Sequence, residues 1–240
     1  QFMGRANAMF RVVPEWKAFF DVQEEDADGN VITGDERRDV MICDYKYNWD
    51  KEIYNHVKVV NKNGKDWYPG KWRREWMPIG YKNPNVTDVN FCYLRYADVV
   101  LMAAETYNET GDTSEAWKLL NSVRKRAGAR EITTENYTEL MKEKVYKLNF
   151  ISDADDAGKF RTALYWERGF ELAFEGQRKY DLIRWGVIKE ALTLFSSRSS
   201  VKSSYPAGDN FQKGKHELFP IPLDELQLNP MFESKNNPNY

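Results

Sequence analysis

The stretch Leu94-Arg95-Tyr96-Ala97-Asp98-Val99-Val100-Leu101-Met102-Ala103-Ala104-Glu105 decides how this chain is read. Leu94, Ala97, Leu101 and Ala104 recur at three- and four-residue intervals, with Val100, Ala103 and Tyr107 beside them, which is the spacing of one buried helical face. Gly111 ends that pattern. Asp112, Thr113 or Ser114 supplies a capping oxygen for a second stripe of Ala116, Leu119, Leu120, Val123 and Ala127, and Gly128 is its natural stop. A helical hairpin follows, with small residues at Ala104, Gly111 and Ala116 placed as in a tetratricopeptide-like unit. Such units become stable when about three stack. One clear match therefore leaves the others degenerate or missing.

On the N-terminal side, residues 1–91 are rich in Gly, Asp, Asn, Trp and Tyr without sustained helical periodicity, and read as short strands joined by loops. Phe19-Phe20-Asp21-Val22 and Val31-Ile32-Thr33 flank the turn signal Asp28-Gly29-Asn30 and predict a hairpin. On the C-terminal side, residues 137–149 and 159–174 carry helical patterns, and a further helical segment is interrupted near Gly186. The run Ser196-Ser197-Arg198-Ser199-Ser200 reads as a mobile loop, and Pro220, Pro222, Pro230 and Pro238 predict an extended tail. The expected organisation is a single, mainly α domain over 1–240. It has a loop- and strand-rich, ligand-facing part at 1–91, a helical part at 92–195 and a tail at 196–240.

Composition removes several function classes. Thirty-five basic residues against 37 acidic ones give a net charge of −2, which argues against the broad basic surface of a nucleic-acid binder. His56 and His216 are the only histidines and Cys43 and Cys92 the only cysteines, too few for zinc clusters or histidine-dependent triads. No apolar run approaches the roughly 18 residues of a membrane-spanning helix.

Three groups of residues remain as candidates for chemistry. Glu167 and Glu171, four apart on one helical face, have the arrangement of paired carboxylates for acid/base work on a glycosidic bond. Arg168, Arg178 and Arg184 are available to pair with them, so a structural ion network is the favoured reading and no catalytic residue is assigned. Glu24, Asp26, Asp28 and Asp35 fall at positions 1, 3, 5 and 12 around Gly29, as in part of a calcium loop. An acidic hairpin turn is favoured there, and no cofactor is expected.

The third group is aromatic. Eight Trp and 14 Tyr exceed what a core of this size needs, and many crowd between Tyr45 and Tyr81, interleaved with Asn and Asp. Sugar rings offer a flat C–H face and a rim of hydroxyls, which suits aromatic platforms beside amides and carboxylates. Trp72 and Trp76 alternate with charged residues as half-buried strand positions would. Trp49, Trp67 and Tyr68 lie among Gly, Asn, Lys and Asp, where loops are expected, and are the candidate substrate-binding residues.

Three blocks of sequence resemble the SusD/RagB family of outer-membrane nutrient-binding lipoproteins of Bacteroidetes. They are residues 94–102; Glu167-Arg168-Gly169-Phe170-Glu171-Leu172-Ala173-Phe174-Glu175-Gly176-Gln177-Arg178 through Asp181 to Gly186; and Leu218-Phe219-Pro220-Ile221-Pro222 through Leu228-Asn229-Pro230 to Asn237-Pro238-Asn239-Tyr240. Their order is similar to that in the C-terminal half of such proteins, so the chain reads as part of a longer one. The resemblance implies a non-catalytic, cell-surface protein of the outer membrane that captures oligosaccharide. It also implies a TonB-dependent transporter of the SusC type as partner and an N-terminal lipid anchor outside this chain. It allows two alternatives: a RagB-like oligopeptide binder, and a scaffold that only seats the transporter.

Overall fold

The computed structural model describes residues 10–61, 64, 66–77, 89–140, 148–198, 206–232 and 235–240. The chain divides into two compact units, Gln1–Arg178 and Lys179–Tyr240. Helix predominates.

In the first unit a one-turn helix α1 (Pro14–Lys17) precedes strands β1 (Val22–Glu25) and β2 (Val31–Gly34), the hairpin that Asp28-Gly29-Asn30 predicts. Helix α2 (Arg37–Met41) leads into β3 (Ile42–Cys43), β4 (Tyr45–Asp50), β5 (Asn55–Val60) and β6 (Tyr68–Pro69). The described strands pair antiparallel two by two: β1 with β2, β3 with β6, β4 with β5. Below them Val12, Phe20, Met41, Ile42, Trp67 and Phe170 form an apolar cluster.

The helical hairpin is present as α3 (Tyr96–Glu109) and α4 (Thr113–Arg126), with Asp112 as the cap: its carboxylate accepts from the Glu115 N–H at 3.0 Å. Ala97, Leu101 and Ala104 of α3 face Ala116, Leu120 and Val123 of α4 in the buried layer, and α6 (Asp156–Glu171) packs against both helices. Leu94 departs from expectation. It precedes the helix and is exposed, as are Tyr93, Tyr96, Val99 and Met102 on the opposite face. Between α4 and α6 lies α5 (Tyr137–Leu140); the rest of the helix expected to residue 149 falls partly on 141–147, outside the described residues.

Gly128 fixes how the two parts of this unit meet. Its φ is +73°, and a β-carbon there would lie 2.5 Å from the Gly34 carbonyl oxygen. Only a residue without that carbon lets the end of β2 lie against the end of α4, where the Glu36 N–H donates to the Ala127 carbonyl at 3.0 Å.

In the second unit α7 (Arg178–Arg184), which starts at the boundary residue, and α8 (Ile188–Arg198) flank Gly186 as the sequence predicts. Two expectations are corrected here. Ser196 and Ser197 belong to α8, their hydroxyls donating back to the Leu192 and Leu194 carbonyls, and Ser199 and Ser200 lie outside the described residues. The tail contains α9 (Ala207–Asn210), α10 (Leu223–Leu228) and a 3-10 turn at Pro230–Phe232. Pro222 caps α10 and Pro230 opens its turn, positions where the missing N–H would have had no helical partner.

Candidate functional site

Helix α6 ends at the centre of a buried ion network. Both Glu167 and Glu171 are fully buried. Arg37, carried in by α2, reaches Glu167 Oε1 at 2.6 Å and Glu171 Oε2 at 3.0 Å, while its other nitrogens grip Asp35 at 2.7 and 2.8 Å. Arg124 of α4 takes Glu167 Oε2 at 2.8 Å, and Arg126 takes both oxygens of Glu171 at 2.6 Å. Arg95, the residue before α3, bonds Glu171 at 2.6 Å and Glu175 at 2.7 Å, and Lys71 closes on Glu175 from the strand-rich side. At the edge, Arg130 forks Asp21.

Burial acts to raise the Glu171 pKa, but the attraction of Arg37 and the bonds from Arg95 and Arg126 outweigh it and hold the carboxyl below its ordinary range. Asp21 behaves likewise, burial being overcome by Arg130. Every oxygen of Glu167 and Glu171 is occupied by a guanidinium, so the pair with acid/base spacing serves as an ion network. Arg168 completes the arrangement with a 2.7 Å bond to Asp98 of α3, while Arg178 packs 3.9 Å over the Tyr165 ring and Arg184 bonds Asp181.

The exposed surface of the strand-rich part has a different character. In β4, Tyr45, Tyr47 and Trp49 point to one side by strand alternation, opposite Val60, Lys58 and His56 of β5. Tyr47 and Trp49 are 37% and 49% exposed. Tyr45 and Tyr47 meet edge to face at 5.8 Å, and Trp49 meets His56 the same way at 5.1 Å. Both phenols donate to Glu75, one to each oxygen, Tyr47 at 2.7 Å. The bond to Glu75, helped by burial, pushes the Tyr47 pKa up to about 12; burial first, then Glu75, raises that of Tyr45 further. Arg73 donates to the Tyr45 hydroxyl at 3.1 Å and lies 5.3 Å from the Trp76 ring.

The three aromatic residues expected to form a site fall in different places. Trp49 is on the exposed hairpin face. Trp67 is corrected: at 9% exposure it belongs to the apolar cluster, its indole N–H donating to the Asn61 carbonyl at 2.7 Å and Lys17 lying 5.0 Å from its ring. Tyr68 is half-buried in β6 opposite Cys43, and no described contact joins it to Trp49. Trp72 and Trp76 are not strand residues, since Trp72 lies in a turn and Trp76 in a 3-10 turn at 56% exposure. Tyr45 and Tyr47 were not singled out from sequence, although the alternation Tyr45-x-Tyr47-x-Trp49 is the signal that finds them. Glu75, about 30 residues away, leaves no local signal.

The acidic turn is built differently from a calcium loop. Asp26 accepts from the N–H groups of Asp28 and Asn30 at 2.9 and 2.8 Å, closing the turn itself, while both oxygens of Asp35 are held by Arg37.

A family model described as "SusD family" matches residues 9–240. SusD-like protein P25 of Formosa agariphila is 37% identical over 142 residues, 59% of this chain and 23% of that protein. SusD-like protein P2 of the same organism is 31% identical over 214 residues, 80% of this chain and 38% of that protein. A SusD homolog from Bacteroides thetaiotaomicron superposes with a TM-score of 0.65 at 29% identity, covering 86% of this chain and 41% of that one. A SusD superfamily protein from Bacteroides vulgatus shares the fold at 20% identity, with a TM-score of 0.56 and coverage of 100% and 48%. The chain thus spans less than half the length of these relatives.

Proposed function

Since this chain belongs to the SusD family, we propose that it is part of a glycan-capturing protein and that the β4–β5 face contributes to the binding surface. In this reading the full-length protein is lipid-anchored at the outer-membrane surface and passes oligosaccharide to a TonB-dependent, SusC-like transporter without chemical turnover. The observation that carries the proposal is the row of half-buried Tyr45 and exposed Tyr47 and Trp49, in which a shared carboxylate fixes the two tyrosine rings. Rings held in place before binding lose little freedom when a sugar stacks on them, and polar edges beside them orient its hydroxyls. Trp67, in the core, is left out of this surface.

Calorimetry of this chain with a panel of oligosaccharides tests the reading. We expect a Tyr47→Ala, Trp49→Ala double variant to lose about tenfold or more in affinity, as removal of stacking rings worth 1.4 kcal/mol together predicts. Unchanged affinity would remove the hairpin from the site.

The exposed apolar residues Tyr93, Leu94, Tyr96 and Val99 favour a second reading, in which this part of the molecule seats a protein partner and leaves capture to residues elsewhere in the full-length protein. Absence of binding to any glycan, with the fold intact, would support that alternative.

A further inference from the structure

Which sugars suit the β4–β5 face is decided by the hydrogen-bonding groups left open on it. Neutral sugars carry hydroxyls that both donate and accept, and a surface matched to them offers both kinds of group. On this face the acceptors are largely taken. Glu75, the carboxylate in contact with the tyrosines, has a phenol on each oxygen, and Arg73 lies 3.9 Å from it. The Tyr45 oxygen also accepts from Arg73. Asp50, at the end of β4, alternates to the other side and its Oδ1 accepts from the Glu52 and Ile53 N–H groups.

The donors and the positive charge are not taken up in the same way. Lys58, opposite Tyr47, holds its ammonium 3.9 Å from the Tyr45 ring centroid and pairs with no carboxylate among the described residues. Trp49, next along the row and 49% exposed, has no described partner for its indole N–H. Arg73 differs from Lys58, since its terminal nitrogens are committed to Tyr45 and to the Asp39 and Ile42 carbonyls. The open groups are therefore the Lys58 ammonium and the Trp49 indole N–H, set among aromatic rings.

We infer that the β4–β5 face takes an acidic glycan, one carrying carboxylate or sulfate groups, with Lys58 receiving the anionic substituent while a sugar ring lies on Trp49 or Tyr47. The inference rests on the glycan-binding reading above. A carboxylate or sulfate presents only acceptors, which is what a donor-rich, cationic face can satisfy, and a charge-assisted bond is about twice as strong as a neutral one. Lys58 acts here as a specificity-determining residue, and the rings supply affinity shared by neutral and acidic sugars.

The test measures binding of this chain to matched pairs of oligosaccharides, an oligogalacturonide against its methyl ester and a sulfated oligosaccharide against its desulfated form. We expect at least one acidic member to bind about tenfold or more tightly than its neutral counterpart, with the difference shrinking as salt is raised. Lys58→Gln should bring the two members of that pair close together, and Lys58→Arg should restore the difference. Equal binding of acidic and neutral members, unaffected by Lys58→Gln, would overturn the inference and leave glycan binding standing. Binding of no member of any pair would remove the glycan-binding reading and the inference with it.

Discussion

The ion network around α6 and the aromatic face of β4–β5 use charge in opposite ways. In the network, Arg37, Arg95, Arg124 and Arg126 are matched to Asp35, Glu167, Glu171 and Glu175, and the carboxylates lie out of water. On the hairpin, Glu75 is matched to two phenols, and a lysine and an indole are left facing outward. A buried charge without a partner is expensive, so every carboxylate of the first region is paired. The second can leave groups open because water satisfies them. The carboxylates of one region are all paired within the chain, and the other region, on our proposal, is completed by a ligand.

The largest effect should come from breaking the matched region. Arg37→Met removes the cation shared by Asp35, Glu167 and Glu171, and should destabilise the chain by about 3–5 kcal/mol, a large part of a domain's usual 5–15 kcal/mol. Denaturant unfolding would show this, and a loss below about 1 kcal/mol would place the network among weak surface pairs.

Acid should sharpen the contrast without a mutation. Asp21 and Glu171 are both held below their ordinary pKa values in the folded chain. Their contribution to stability is therefore complete above the unfolded values of about 3.9 and 4.3 and is lost as pH falls through the folded ones. Thermal unfolding followed from pH 7 downward should show the midpoint falling in this range, and Glu171→Gln should flatten the profile. An unchanged profile in that variant would mean other groups govern acid stability.

A smaller loss is expected from Gly128→Ala, which leaves every charge in place but adds a β-carbon at positive φ against the Gly34 carbonyl. About 1–3 kcal/mol is the expected cost, measured by the same unfolding experiment. A neutral result would mean that the end of β2 can shift without disturbing the Arg37 contacts. Least of all, Trp49→Ala on the exposed hairpin should change stability by less than about 1 kcal/mol.

The legibility of the two regions differs for a physical reason. Helices α3, α4 and α6 announce themselves through apolar spacing, and the chemistry that joins them is written in complementary letters. Arg95, just before α3, and Asp98, in its first turn, meet Glu171 with Glu175 and Arg168 respectively at and just beyond the end of α6. The first two blocks of sequence that carry the family resemblance are thus the two halves of one set of ion pairs. Helix α2 was missed because only five residues form it and its Arg37 gains meaning only from partners 130 residues away. Trp67 reads as a loop residue because its neighbours are polar, while it lies in an apolar cluster whose other members, among them Val12 and Phe20, come from distant segments. The hairpin face was half legible: the alternation of Tyr45, Tyr47 and Trp49 is local, and Glu75, which fixes two of them, is not.

The strands' pairing two by two, described above as a matter of topology, also bears on how such a protein changes over generations. Strand β4 exchanges ladder bonds with β5, and in the described residues with no other strand. A residue gained or lost in the Lys51–Tyr54 turn therefore re-registers one ribbon without passing the shift to β1–β2 or β3–β6. Drift in the turn and in the outward-facing residues can therefore reshape that surface while the salt-bridged frame stays as it is.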